Sequence, residues 1–426
     1  MLGLDLIPHW RRDAVQLRAP LRPLAHELDE YDRGDHSRTR LLAWTVAGWA
    51  ASVSLFRPVE AAFFGISLFI IIYRLPASLR VVLAALRAPA VLLVLLYLLV
   101  TAIATIASTE PYAWRDLLPK RLFLAPLLVL MVLPRWRLVL SGLAAGAFLQ
   151  AVYALIALVL DWIIDGDQPP IPLEVANGSS TTMVAGVVAA AAWVLHRSGW
   201  WRVLGGLAVA VTLAMQAMST MRAAVVGSLA GVSVLLACTS RRTRWTLAVL
   251  VGAGGILAGM FLASPSARRI DGDLYASLNH FSSNRLEMWR LTLDAVADKP
   301  VLGHGRNEWR AEIDRARDGA VHGPQGSELI WTDRRVGYSH NTPLDVLYEA
   351  GVIGLVALSG VLVLVARSLR VEWGSDPLVP VLAALLFSAL ALAQFDFVLQ
   401  RAIPGTLLLV SLTLSAGPAI SRRLAA

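Results

Sequence analysis

The amino-acid sequence predicts an all-α polytopic membrane protein of about twelve transmembrane helices. Three observations carry that expectation. The 426-residue chain is 57% hydrophobic and only 16% charged, with a mean hydropathy of +0.62, which is more apolar surface than a soluble domain of this length carries. The apolar residues fall in repeated long runs, not in the short alternating strands of a membrane barrel. Arginines cluster between alternate runs, the pattern that fixes orientation in a bilayer.

The formal net charge is +8 and the isoelectric point about 10.1. In a soluble protein that balance points to nucleic acid. Here most of the arginines sit at the ends of apolar runs and set topology, so no nucleic-acid partner is expected and membrane lipid is. Cys238 is the single cysteine and lies inside an apolar run, which leaves neither a disulfide framework nor a thiolate site. A polar, Arg-rich stretch of about forty residues precedes the first apolar run, so the N-terminus does not read as a cleavable signal.

Residues 1–40 form a cytoplasmic basic segment with Arg11, Arg12, Arg18, Arg22, Arg33, Arg38 and Arg40. Residues 13–27 have the pattern of a short helix on anionic headgroups, but a basic tail that sets topology is the preferred reading. Apolar segments follow at 41–56, 60–75, 87–108, 117–133, 137–160, 181–196, 203–220, 222–239 and 246–264, the nine helices of a region 41–264. A large loop covers 265–342, three more segments at 343–367, 377–395 and 402–418 make up the region 343–418, and 419–426 is a tail.

With a cytoplasmic N-terminus, the inner connections carry Arg74, Arg80 and Arg87; Arg135 and Arg137; Arg197 and Arg202; Arg241, Arg242 and Arg244; Arg367 and Arg370; and Arg422 and Arg423. Each is basic, as orientation by positive charge requires. Both termini are then cytoplasmic and the loop 265–342 is on the outer face. Gly142/Gly146, Gly227/Gly231 and Gly255/Gly259 are small-residue pairs one turn apart, the pattern of close helix packing. No internal repeat stands out.

The outer loop has helical periodicity of its own. Leu286, Trp289, Leu293 and Val296 share one face of a helix that Ser282 or Ser283 caps and Lys299-Pro300 ends. Gly303-His304-Gly305 turns, a second helix is expected near 307–317, and 319–327 is a candidate mobile loop. The tenth span is expected to start with Thr342 as N-cap, Pro343 at the first helical position and Asp345 three residues after the cap.

Outer cations that topology does not explain are the informative ones: Lys120, Arg121, Arg222, Arg285, Arg306 and Arg401. A charge at the edge of hydrocarbon is costly without an anion, so each either pairs with an acidic residue such as Asp116, Asp345, Glu349 or Asp396, or helps to form an anion site. His340 stands at a helix N-terminus, where unpaired N–H groups attract phosphate and an imidazole can take a proton from a hydroxyl. His280, His304 and His322 share the loop, but none is expected to abut a transmembrane helix. Asp271-Gly272-Asp273 and Asp165-Gly166-Asp167 read as turns, and no Walker or dinucleotide motif occurs, so neither a metal nor a cofactor is expected.

The span layout, the large late outer loop, His340-Asn341-x-x-Leu344 running into Gly351-x-x-Gly354, Asn284-Arg285-Leu286 with Trp289, Pro300-x-x-Gly303-x-Gly305 and the outer Arg222 together resemble the bacterial O-antigen ligase and polymerase superfamily. The motifs cover about 219 to 355. Where the family often has Ser-Arg-small, this chain reads Met221-Arg222-Ala223. The resemblance implies a glycosyltransferase of GT-C-like architecture on the periplasmic face of the bacterial inner membrane. It implies a donor, O-antigen on undecaprenyl diphosphate, and an acceptor, a sugar hydroxyl of lipid A–core. It carries the essential histidine to His340 and the two essential arginines to Arg222 and Arg285. Charge placement adds Lys120, Arg121, Arg306 and Arg401 as diphosphate ligands, with Asp345 and Glu349 in support. An O-antigen polymerase uses the same donor. From another class, a secondary transporter or flippase would put its ionisable residues near the midplane and often show inverted repeats.

Overall fold

A backbone N–H or C=O surrounded by hydrocarbon has to be paired within its own segment, so apolar runs of this length fold as helices. In a computed structural model of the chain, the described residues are 22–52, 57–107, 128–132, 135–165, 173–196, 198–218, 222–237, 285–305, 309, 339–372 and 378–393, and the regular structure among them is helical. The helices are α1 (Arg22–Gly34), α2 (His36–Ser52), α3 (Arg57–Tyr73), α4 (Leu75–Leu86), α5 (Pro89–Ile106), α6 (Trp136–Asp165), α7 (Leu173–His196), α8 (Trp200–Met218), α9 (Arg222–Ala237), α10 (Arg285–Asp298), α11 (Thr342–Glu372) and α12 (Leu378–Ala393).

Among the described residues, α5, the Trp136–Ile156 part of α6 and the Thr342–Arg370 part of α11 are long and apolar enough to cross a membrane. The bent pair α3–α4 makes a fourth if counted as one span. The predicted segments at 246–264 and 402–418 lie outside the described residues, as do the Asp-Gly-Asp turns beyond Asp165 and most of 117–133.

Two stretches differ from expectation. The connection after the second segment, expected as a short basic loop, is the helix α4. Pro76 sits in its first turn, where no N–H partner is lost, and the chain turns through 96° between α3 and α4. Arg74 at that elbow is buried, not exposed. Near the N-terminus, where a basic tail is the preferred expectation, Arg22–Gly34 is the helix α1, and residues 13–21 of the alternative helix lie outside the described residues; Leu24, Leu28 and Tyr31, one turn apart in succession, form the buried face of α1.

Close packing uses small residues where expected. A Cβ on Gly142 or Gly146 would collide with the backbone of Ala47 or Ala51, so α6 lies directly on α2. Gly231 meets Ser388 in the same way and seats α9 on α12. One buried core joins α1, α2, α4, α5, α11 and parts of α12; a second, around the alanine run Ala189–Ala192 of α7, joins α6, α8, α9 and α12. Because α5 runs alongside α11, it fixes the end of α11 at which the candidate site lies.

Candidate functional site

The turn that starts α11 is built by hydrogen bonds among neighbours. Asn341 is the N-cap: its Oδ1 accepts the Leu344 N–H at 3.1 Å, and its carbonyl accepts the Asp345 N–H at 2.9 Å. The cap therefore falls one residue before the expected Thr342. Asparagine is the stronger cap of the two, and Pro343 fits the first turn in either register. Asn341→Ala is expected to cost about 1 kcal/mol in unfolding free energy, measured by thermal unfolding in detergent; an unchanged midpoint would count against Asn341 as the cap.

Ser339 and Asn341 close on each other. The Ser339 hydroxyl donates to the Asn341 carbonyl at 3.1 Å and accepts the Asn341 N–H at 3.2 Å. Between them, His340 has φ +54°, the left-handed region that few non-glycine residues occupy. Asp345, one turn into α11 and buried, holds this knot: its Oδ1 accepts the Ser339 N–H at 2.8 Å. Among the described residues, its Oδ2 has no hydrogen-bond partner. Glu349, also buried, follows one turn later.

The other side of the site is α10. The Trp289 indole N–H donates to the Ser339 carbonyl at 3.1 Å. Arg285 is one turn earlier on the same face, and it stands close enough to act on His340. Desolvation first, and then the positive charge of Arg285, bring the His340 imidazole down from 6.5 to about 4. Both effects disfavour the charged form, so the ring is neutral at neutral pH. The two motifs singled out in the sequence, Asn284-Arg285-Leu286 with Trp289 and His340-Asn341, meet here.

Below this turn α11 is broken. Gly351 has φ 60° and ψ −164°, far from helical. The break frees the Tyr348 and Glu349 carbonyls and the Val352 and Ile353 amides from their helical partners. The loop 300–305 takes their place. His304 and Gly305 N–H donate to the Tyr348 and Glu349 carbonyls at 2.7 and 3.0 Å, and Val352 and Ile353 N–H donate to the Pro300 and Val301 carbonyls at 2.8 and 3.5 Å. A Cβ at Gly303 would press on the backbone at Glu349, and one at Gly305 on Thr105 of α5. The Pro300-x-x-Gly303-x-Gly305 and Gly351 motifs are therefore two halves of one splice. The arm from 352 to 372 is itself long enough to cross a hydrocarbon core of about 30 Å at roughly 1.5 Å per residue.

His304 corrects an expectation, because it does abut α11. Its ring stacks on Tyr348 with centroids 4.6 Å apart, and its Nε2 lies 2.7 Å from the Ala295 carbonyl of α10. The sequence signal was the pair of flanking glycines, which permits close approach to another backbone. Together, Trp289 and His304 tie α10 to α11 at two levels.

Arg222 opens α9, but its side chain lies outside the described residues, as do Lys120, Arg121, Arg306 and Arg401. The same holds for the expected cap at Ser282 or Ser283, most of 307–317, and 319–327.

Residues 207–359 match the family model described as O-antigen ligase. This stretch of the chain is similar to the O-antigen ligase family. No curated protein matches the chain. The O-antigen ligase match takes in Arg222, α10, the inserted loop, His340 and the break at Gly351. The knot around His340 and the splice below it thus lie within the matched stretch.

Proposed function

We propose that the protein is an O-antigen ligase that transfers O-antigen polysaccharide from undecaprenyl diphosphate to a sugar hydroxyl of lipid A–core. The observation that carries this reading is the docking of the Arg285–Trp289 face of α10 on the Ser339–Asn341 turn that holds His340, inside the stretch that matches the O-antigen ligase family. The acceptor hydroxyl gives its proton to the His340 imidazole as its oxygen bonds to the anomeric carbon of the donor sugar. The bond from that carbon to the diphosphate breaks, and its electron pair leaves on the diphosphate. Direct displacement of this kind inverts the anomeric centre.

Negative charge develops on the leaving diphosphate, and fixed guanidinium groups stabilise it without a metal ion. Arg285 and Arg222 fill that role in this reading, with Lys120, Arg121, Arg306 and Arg401 as further phosphate ligands. Asp345 acts as a positioning residue through the Ser339 N–H. The site faces the periplasm, the termini face the cytoplasm, about twelve spans in a GT-C-like arrangement surround the site, and the polyprenyl tail lies among them.

The test uses the purified full chain with lipid-linked O-antigen and lipid A–core in the presence of a chelator. Glycan appearing on lipid A–core is the expected result. Extension of the lipid-linked glycan instead would identify a polymerase. No transfer to either acceptor by protein shown to be folded would overturn the glycosyltransferase reading and favour transport.

A further inference from the structure

The elbow between α3 and α4 has no part in the chemistry above, yet it is firmly built. Arg74 lies buried at the corner with its guanidinium 3.8 Å over the Tyr31 ring. Its Nη1 donates to the Thr39 hydroxyl at 2.7 Å, and its Nη2 donates to the Tyr31 carbonyl. The Ser78 hydroxyl reaches back across the bend to the Ile71 carbonyl at 3.0 Å. Such fixed contacts hold α4 at 96° to the apolar helix α3.

The two faces of α4 differ sharply. Ser78, Val81, Ala84 and Ala85 are buried, and α1 packs against this helix. Arg80 reaches from α4 to Glu30 of α1 at 2.9 Å. On the opposite face, Leu75, Leu79, Leu83 and Leu86 recur at helical spacing and are each 40–54% exposed.

This leucine stripe continues an apolar surface on both sides. Ile66, Phe69, Ile72 and Tyr73 are exposed on α3 just before the bend, and Leu92, Leu95 and Leu99 on α5 just after it. On the spans, such a surface is the one presented to acyl chains. It turns the corner onto α4, where the Arg38 guanidinium lies 4.5 Å over the Tyr73 ring. Arg40, on α2 one residue after the Thr39 that Arg74 bonds, and Arg87, at the far end of α4, are both exposed and flank α4 with positive charge.

We infer that α4 is an interfacial helix. It lies in the plane of the membrane with its leucine stripe in the acyl region of the leaflet nearest the N-terminal helix, and α1 covers its other face. The occupant of the stripe is lipid, and the flanking arginines favour anionic headgroups.

Nitroxide accessibility in the full chain tests this, with Cys238→Ser as background, since Cys238 is the lone cysteine. Leu79→Cys and, as a second position, Leu83→Cys are labelled and compared with His26→Cys on exposed α1, in bilayers containing phosphatidylglycerol. Only variants with the parent's helical circular dichroism and elution volume are scored. The stripe labels are expected to relax readily with oxygen and to show at least several-fold less access to a water-soluble nickel chelate than His26→Cys. Nickel access equal to that at His26→Cys would place the stripe in water. Exclusion of both reagents would mean that protein covers it. Either result overturns the inference, and neither depends on the transferase reading.

Discussion

His340→Ala is expected to lower glycan transfer by about 10²–10⁴-fold, the range a positioned general base contributes, with the protein still folded. The alanine removes the proton acceptor and leaves intact the Ser339–Asn341 pair and the Asp345 bond, which run through other groups. The pH profile makes the test more specific. With the ring titrating near 4, kcat/KM is expected to hold level from neutral pH down to about 5 and to fall only as the ring takes a proton. Arg285→Gln removes a positive neighbour, so the ring becomes easier to protonate and the acid limb moves to higher pH. A limb that stays in place would break the link between the two residues. Full activity of His340→Ala would pass the role of base to Asp345 or Glu349. The same shift acts on stability. The unfolded ring takes its proton near 6.5 and the folded ring near 4, so stability is complete above about 6.5 and declines as pH falls toward 4.

Gly351→Ala is expected to destabilise the protein by about 4 kcal/mol or more, at the exceptional end for one substitution. Two effects add. The backbone at φ 60° and ψ −164° is one that an alanine occupies only with strain of roughly 1–3 kcal/mol. The new methyl would also collide with the Val301 carbonyl and drive the loop 300–305 out of the break. The buried Tyr348 and Glu349, and also Val352 and Ile353, would then lose backbone partners. Thermal unfolding in detergent measures the loss, and proteolysis at Lys299 reports the freed loop. Gly206→Ala, at a helical glycine with open space around its Cβ position, is the matched control and is expected to be neutral or slightly stabilising. Equal midpoints for the two variants would show that the splice does not hold α11 in shape.

What could be read from the sequence follows from how local each feature is. The apolar runs and the existence of the helix at 285–298 rest on periodicity within one segment and are legible, but the helix buries Met288, Thr292, Ala295 and Val296, and Leu293 of the expected stripe is exposed. Arg285 and His340 are legible as candidates, because each departs from what its segment needs. The cap was misplaced by one residue because Asn341-Thr342-Pro343 offers two competent caps in a row. α4 is hidden in the sequence because Arg74, Arg80 and Arg87 read as a basic loop, while the partners of Arg74, Tyr31 and Thr39, are distant in the chain. The splice is hidden for the same reason: Gly303 and Gly351 each look like a simple turn, and 47 residues separate them in sequence. Nothing near His304 in sequence shows that it meets Tyr348.

The break in α11 also constrains how the protein is made. The freed amides and carbonyls around Gly351 are costly in an apolar setting until paired, at several kcal/mol each. Their partners at 300–305 are synthesised before α11 itself. The growing chain thus holds the missing piece ready when the helix emerges, and α11 becomes a stable occupant of the bilayer only once that piece has docked. Any change that delays the loop, however far from His340, is a biogenesis defect before it is a catalytic one.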